Sequence, residues 1–478
     1  MAQWTTTDIL NATGGTWICG NPEVSFSGIE IDSRKISHLA FFVAIRGETH
    51  DGHRFCVDVI RVGVRGVLVE TSRVNALPVS EWQEKGIVCI GVENTIHALG
   101  NLSAFHRKRL HVSVAAITGS NGKTSTRSMT TEILCRRFRV HSTSGNFNNH
   151  IGLPLTLLDL NETHEWAVLE LGMNHCGEIE RLSEICQPDI GIITMVGTAH
   201  LENFSSQEEI CDAKAEIFKW MKPNGIAVLN MDDSRLAALA CQLPYQTVFF
   251  GLNPEAEIRA RQIESSPSGL SFCLDMPNES VNIHLPVMGD FMVTNALAAA
   301  TVGYILGIPG FEIKAGIENF RPVKGRMNVI ETVKGIHLID DTYNANPASM
   351  TAAIQSLHKI KGNGRRILVI GDMLELGKDS PDFHRKIGEE AAITGVSILY
   401  ATGRFAHDVT EGAANKGMNA DRIFIGNKKT ICDRLKEDLR KDDWVLIKGS
   451  RAMGMEEIAY EMNSWADTSI DTSEKFPL

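Results

Sequence analysis

One short stretch limits the fold of this chain more than any other: Val114-Ala-Ala-Ile-Thr-Gly-Ser-Asn-Gly-Lys-Thr124. The apolar run reads as a buried strand, and Met129, Ile133 and Leu134 behind it have helical spacing. Strand, glycine-rich turn and helix together aim backbone N–H groups and a helix N-terminus at a phosphate. Lys123 then reaches the outer phosphates of a nucleotide, and the Thr124 hydroxyl binds Mg²⁺. The long form of this motif carries a glycine where Ile117 stands, so Thr118-Gly119-Ser120-Asn121-Gly122-Lys123-Thr124 is a shortened version. A turn that merely needs glycine would explain the glycines. Gly-Lys-Thr at a strand end makes that turn, with an exposed Lys, the minority reading.

Length and charge bound what else the chain can be. A chain of 478 residues is too long for one core and implies two to four domains. With 43% hydrophobic and 22% charged residues it has the make-up of an ordinary globular protein. A net charge of −11 argues against a nucleic-acid coat or an anionic-membrane binder. The ten cysteines show no C-x-x-C pair, which suits reduced, mostly buried thiols better than disulfides or a zinc site. The N-terminus has no basic region followed by an apolar core, and no apolar run approaches the roughly 20 residues that span a bilayer. The expectation is a cytoplasmic protein with no membrane insertion.

Along the chain, short strand-like runs come first: Ala40–Ile45, Gly66–Val69 and Gly86–Ile90. An amphipathic stretch, Ile96–Leu110, then leads into the phosphate loop. Beyond it, Trp166–Leu171, Ile190–Thr194 and Ile226–Asn230 alternate with helical patterns, as a parallel α/β sheet requires. Around Glu264–Gly269 the pattern changes to two alternating strands, a hairpin-like excursion, before the Ala-rich helix Asn295–Leu306. A second α/β alternation follows: Ile336–Asp340, Arg366–Ile370, Ser397–Tyr400, Arg422–Ile425 and Trp444–Ile447. It has no lysine-bearing phosphate loop of its own, so a ligand clamped between two α/β domains is expected. The tail from Ala466 is polar and expected to fray. The resulting expectation is an α/β chain of three domains: a small N-terminal α/β domain (1–94), a central parallel-sheet P-loop domain (95–319) and a C-terminal Rossmann-like α/β domain (320–478).

Polar clusters stand at the strand ends, where open α/β sheets place ligands. Glu170-Leu-Gly-Met-Asn174-His175 offers a carboxylate for Mg²⁺ beside Thr124, or a turn whose polar groups satisfy the backbone. Gly197-Thr-Ala-His200 offers a second metal ligand, since two metal ions on a transferring phosphate draw on several strand ends. On a helix, Asp212-Ala-Lys214 reads by composition alone as a solvated charge. Gly145-Asn146-Phe-Asn-Asn149-His150 supplies amides for phosphate oxygens or for turns. Asp340-Asp341-Thr-Tyr-Asn344-Ala-Asn346-Pro347 holds more carboxylates and amides than a turn needs. Arg326 and Lys448-Gly-Ser-Arg451 add cations nearby.

These segments, from Asp32 to Glu456, together resemble the Mur ligase family. The likeness is to the branch that adds D-alanyl-D-alanine to UDP-N-acetylmuramoyl-tripeptide. The family's short Thr-Gly-x-x-Gly-Lys-Thr loop accounts for the missing glycine at 117. Glu170-Leu-Gly-Met-Asn-His, Asp340–Pro347, Gly371-Asp-Met-Leu-Glu-Leu-Gly377 and Lys448-Gly-Ser-Arg-Ala-Met453 point to this branch. The Asp-Asn-Pro-Arg motif of the diaminopimelate- or lysine-adding branch is absent.

The resemblance implies ATP and two Mg²⁺ as cofactors. It implies Lys123 on the ATP phosphates, with Thr118, Gly119, Ser120, Asn121, Gly122 and Thr124 around them. Thr124 and Glu170 would hold one metal, and His200 with an N6-carboxylated Lys214 the other, so Lys123, Lys214 and His200 are the catalytic set. Asn295, Asp341 and Asn344 would hold the adenosine side and Arg326 the phosphates. Ser33, Arg34, Arg46, Gly47, Asp51, Gly52, His53, Asn146 and Asn149 would meet the UDP-linked substrate, with Asp32, Lys35 and Glu48 in the same segments. One departure stands out: the family's His-Asn ahead of the Asn-Ala-Leu helix is replaced by Phe291-Met292. The partners implied are UDP-N-acetylmuramoyl-tripeptide and D-alanyl-D-alanine, with no nucleic acid, for a monomer.

Overall fold

In the computed structural model, which describes residues 3–47, 50–197, 202–266 and 268–467, Ser113–Thr118 lies inside a nine-stranded sheet. Its neighbours, Trp166–Glu170 and Ile190–Ile193, are both parallel to it, so three strands deliver their C-terminal ends to one edge. Val140–Ser142 lies beyond the first neighbour. Ile226–Asn230, Gln246–Gly251 and Ile258–Ser266 lie beyond the second. The strand order therefore reverses beside Ser113–Thr118, the position where open parallel sheets take their ligands.

Both faces of this sheet are covered, which is why its strands are apolar at consecutive positions. Ala115 and Ile117 join Met129, Ile133 and Leu134 of the helix Lys123–Leu134 on one face, while Val114 and Ala116 pack into the other. The hairpin-like excursion is present as the antiparallel pair Ile258–Ser266 and Gly269–Met276. A third antiparallel strand, Glu279–Leu285, extends it and was not foreseen. That strand buries only Ile283 and Leu285, too faint an apolar signal to read as a strand.

Two other sheets flank this one in the chain. The first has five strands, in the order Thr16–Cys19, Val88–Val92, Gly66–Glu70, Phe41–Val43 and Ile29–Glu30, parallel except for the Thr16–Cys19 edge. The helix Thr95–Leu110 buries Ala98 and Leu102 in that sheet's core, while its Gly100 faces Ile185 of the central unit. The last sheet has six strands: Asn328–Glu331, His337–Asp341, Trp444–Lys448, Arg366–Ile370, Ile398–Ala401 and Ile423–Ile425. All but the first pairing are parallel. The closing helix Glu456–Asp467 buries Ala466 against this sheet, and the rest of the tail expected to fray, residues 468–478, lies outside the described residues. All ten cysteines are free, six of them buried. Among the described residues no helix is long and apolar enough to cross a membrane.

Candidate active site

The loop after Ser113–Thr118 is a cup whose shape demands its glycines. Gly119 and Gly122 have φ of 150° and 85°. A Cβ at Gly119 would lie 1.9 Å from the Thr194 hydroxyl oxygen, and one at Gly122 would lie 2.2 Å from Asn295 Oδ1. The loop is tied to the neighbouring strand end: Ser120 N–H donates to the Met195 carbonyl (3.0 Å), Gly197 N–H to Ser120 Oγ (2.8 Å) and the Thr194 hydroxyl to the Asn121 carbonyl (2.6 Å). The helix Lys123–Leu134 starts at Gly122, and no side chain caps its first N–H groups. Those donors are left for an anion.

Charged groups collect around the cup with few partners. Lys123 Nζ turns back onto the Gly119 carbonyl at 2.7 Å. Burial pulls its pKa below the ordinary lysine value, opposed by Glu170 and reinforced by Arg326. Glu170, 2% exposed at the end of its strand, accepts from the Thr124 hydroxyl (2.9 Å) and from Asn148 Nδ2 (2.8 Å). Arg127 lies one helical turn beyond Lys123 and is buried. It donates to the Thr143 carbonyl, while its Nε has no hydrogen-bond partner and lies 4.0 Å from Glu170 Oε2.

Lys214 corrects the reading of a solvated charge. It is 2% exposed, on the helix Gln207–Ala215, and no carboxylate of the described residues is within ion-pair distance. Burial first, and repulsion from Lys123 second, push its pKa well below the ordinary lysine range. His200, the other expected ligand on this side, lies outside the described residues.

Two buried oxygens, on Thr124 and Glu170, are hard donors of the kind Mg²⁺ takes. Among the described residues no three His, Cys, Asp or Glu side chains converge, so a cation there would draw its remaining oxygens from a nucleotide.

The last sheet presents its own strand ends to the cup. Arg326 lies over the Tyr343 ring at 4.1 Å, its Nε buried without a partner. Asp341 is held by Lys448 (2.6 Å) and by the Met327 N–H, while Lys448 also donates to the Asn344 carbonyl (2.9 Å). Asn344 itself is exposed, its Oδ1 accepting the Ala345 N–H. The side chain that reaches the loop is instead Asn346, which exchanges hydrogen bonds with Asn121. Asn295 touches the loop at Gly122.

The first sheet gathers its candidate residues at a parallel edge of its own. Asp32 bonds Arg34 through both oxygens at 2.9 Å, which pulls the carboxyl down to about 2, and Ser33 lies within that turn. The Arg46 and Asp51 backbones form an isolated antiparallel bridge, the Gly47 N–H donates to the His50 carbonyl and the Gly52 N–H to the Ile45 carbonyl. His53 is buried and has no free ring atom. Its Nε2 accepts the Glu70 N–H (2.9 Å), so Nδ1 carries the proton donated to Asp51 (2.7 Å). Glu48 lies outside the described residues. Asn146 is exposed, and Asn149 Oδ1 accepts the N–H groups of Ile151 and Gly152 at a helix start.

Sequence reasoning did not single out Arg127, Asn148, Thr194 or Tyr343, and it offered Asn346 as one of two asparagines for a ligand rather than as a contact to the loop. Arg127 had a signal, being four residues after Lys123 and so on the same helix face. Thr194 is the last residue of a foreseen strand. Nothing in sequence distinguished Asn148 from Asn146 and Asn149.

Comparison with known proteins accords with this geometry. The Mur ligase middle domain matches residues 117–303; the Mur ligase, glutamate ligase domain matches 325–451; and the Mur ligase family, catalytic domain matches 25–107. The UDP-N-acetylmuramoyl-tripeptide–D-alanyl-D-alanine ligase of Bacillus subtilis is 34% identical, over 97% of this chain and 99% of that protein. A crystal structure of MurF from Acinetobacter baumannii aligns with a TM-score of 0.88 at 33% identity, covering 97% of this chain and 99% of that one. MurF from Thermotoga maritima in complex with ADP aligns with a TM-score of 0.81 at 27% identity, over 91% and 97% of the two chains. With all three domains matched in order and relatives aligned nearly end to end, the chain belongs to the Mur ligase family, in the branch of tripeptide–D-alanyl-D-alanine ligases.

Proposed function

We propose that this chain joins D-alanyl-D-alanine to the terminal carboxylate of UDP-N-acetylmuramoyl-tripeptide, consuming ATP and releasing ADP and phosphate. One observation carries the reading. Lys123, Arg127 and Arg326 crowd around a glycine cup in a protein of net charge −11, with Glu170 as the carboxylate among them and the Lys214 amine close to Lys123. Buried cations left short of partners are stabilised by an anion, and the cup shapes that anion as a polyphosphate.

A carboxylate acylates poorly, so its oxygen attacks the γ-phosphorus of ATP. The bond to the bridging oxygen breaks, ADP leaves and an acyl phosphate forms. Lys123, the uncapped N–H groups at Gly122 and Arg326 offset charge on the transferring phosphoryl group. The dipeptide's amine then attacks the acyl carbon, loses a proton, and phosphate leaves with the oxygen the carboxylate supplied. Water would destroy the acyl phosphate, and the segment Asp340–Asn346, closed onto the loop, excludes it.

Thr124 and Glu170 would hold one Mg²⁺ and His200 with Lys214 a second, and such ions would supply charge neutralisation on the phosphates. Lys214 fits N6-carboxylation: burial disfavours its charged form, the neutral amine is the form that attacks CO₂, and the product is an oxygen donor. Residues 1–94 hold the UDP end through Ser33, Arg34, Arg46, Gly47, Asp51, Gly52 and the His53-braced loop, with Asn146 and Asn149 bordering it. Residues 95–319 hold the ATP phosphates at Thr118–Thr124. Residues 320–478 hold the adenosine side with Asp341 and Asn344, opposite Asn295. The enzyme works in the cytoplasm as a monomer.

The test is ADP release with UDP-N-acetylmuramoyl-tripeptide across a panel of amines. Release that requires D-alanyl-D-alanine supports the reading. Equal release with glutamate, lysine or diaminopimelate, or release independent of any amine, overturns it.

A further inference from the structure

Asn346 stands in a segment rich in candidate ligands, yet its side chain is turned toward protein. Its Oδ1 accepts the Ser349 N–H at 2.9 Å and caps the helix Pro347–Lys359. That bond fixes which end of the amide is oxygen, so Nδ2 must face the other way. It faces Asn121 of the phosphate loop and donates to its Oδ1 at 2.9 Å, while Asn121 Nδ2 returns a longer contact to Asn346 Oδ1 at 3.4 Å. The pair joins the last sheet's unit to the loop.

Asn121 is well placed to pass on what it receives. Its own carbonyl is held by the Thr194 hydroxyl at 2.6 Å, and it stands between two glycines whose positions leave no room for a Cβ. A shift of its side chain is therefore felt by the cup rather than absorbed by slack. The same segment carries Tyr343, three residues before Asn346, and Arg326 lies over the Tyr343 ring at 4.1 Å. Arg326 is close enough to Lys123 and Arg127 to lower both of their pKa values. Seating Asn346 on Asn121 thus fixes Tyr343, and through it Arg326, at the phosphate cup.

We propose that Asn346 is a positioning residue whose bond to Asn121 couples the seating of the C-terminal domain to the phosphate loop, so that Arg326 meets the transferring phosphate only when the domain is closed. A neutral amide pair suits a contact that must break each turnover, since it is weaker than an ion pair and leaves no charge stranded when open. The proposal rests on the ATP-dependent ligase reading above.

Two single variants separate the coupling from its alternatives. Asn346→Ser keeps a good helix cap but is too short to reach Asn121, and Asn121→Ala removes the pair from the other side. Each is expected to lower kcat about tenfold while KM for ATP moves less than about threefold. The double variant should be no worse than the worse single. Small-angle scattering of the full-length protein with Mg-ADP should show a larger radius of gyration in both variants than in the wild type. A rise in KM at unchanged kcat would overturn the proposal, making Asn121 a plain nucleotide ligand. So would losses that multiply in the double variant, or scattering identical to wild type. The scattering arm needs only nucleotide: if the wild type closes on Mg-ADP but shows no dipeptide-dependent ADP release, the ligase reading fails while the coupling stands.

Discussion

The central and last sheets are built alike, yet their strand ends behave differently. Both are largely parallel, covered on two faces, and crowd polar residues at their C-terminal edges. At the last sheet those residues, Arg326 Nε excepted, satisfy one another. Asp340 takes the Thr342 hydroxyl (2.6 Å) and the Gly325 N–H, Asp341 pairs with Lys448, and Asp372 accepts the N–H groups of Arg404 and Phe405. At the central sheet the groups are left wanting. Lys123 falls back on a carbonyl of its own loop, and among the described residues Arg127 Nε and the buried Thr118 hydroxyl have no hydrogen-bond partner and Lys214 is a buried amine with no carboxylate in ion-pair reach. A satisfied edge is a scaffold. An edge whose cations outnumber its one buried carboxylate is shaped for a ligand that brings the missing charge.

The contrast can be broken most severely at Lys123. Lys123→Ala should reduce ATP-dependent amide formation by about 10²–10³-fold or more while the thermal melt stays near wild type. Activity within a few-fold of wild type would place the phosphate site elsewhere. The opposite signature is expected at the satisfied edge. Lys448→Met strands the Asp341 carboxylate in a largely buried position and should destabilise the fold by about 3–5 kcal/mol, read by denaturant titration. If Lys448→Met melted like wild type, the last sheet's edge would not be the self-contained scaffold drawn here.

Lys214 sharpens the comparison by pH. A lysine whose folded pKa is depressed binds fewer protons folded than unfolded, so it costs stability at neutral pH. That cost shrinks as pH rises from the depressed folded value toward the ordinary 10.5. In bicarbonate-free buffer, Lys214→Met should therefore melt above wild type at neutral pH, with the gap narrowing toward about pH 10, while turnover falls. A gap that widened with pH would show Lys214 charged in the fold. The smallest effect is expected at Arg34, an exposed partner of Asp32. Arg34→Ala should leave the melt unchanged and raise KM for the UDP-linked substrate about fivefold. An unchanged KM would remove Arg34 from the substrate's surroundings.

Much of this molecule could be read before its coordinates. Long apolar runs with helical segments between them gave the central and last sheets, because buried parallel strands announce themselves residue after residue. The first sheet was harder, since Ile29–Glu30 is two residues long and no periodicity exists over so short a span. Lys123, Thr124 and Glu170 were legible because strand ends collect chemistry. Lys214 was not read as buried, although Ile210 and Cys211, four and three residues before it, mark the same helix face as apolar. Asn346 was legible as a polar residue but not as a bridge. Its partner is 225 positions away, and only the packing of one sheet's unit against another brings the two amides together.

The central claim is that the unsatisfied cup at Thr118–Thr124 activates a carboxylate by phosphorylation. The direct test labels both oxygens of the tripeptide's terminal carboxylate with ¹⁸O and follows the label through one round with ATP and D-alanyl-D-alanine. The expected result is one ¹⁸O in each phosphate released and one retained in the new amide, with neither product from Lys123→Ala. Unlabelled phosphate, or phosphate release without amide, would contradict it.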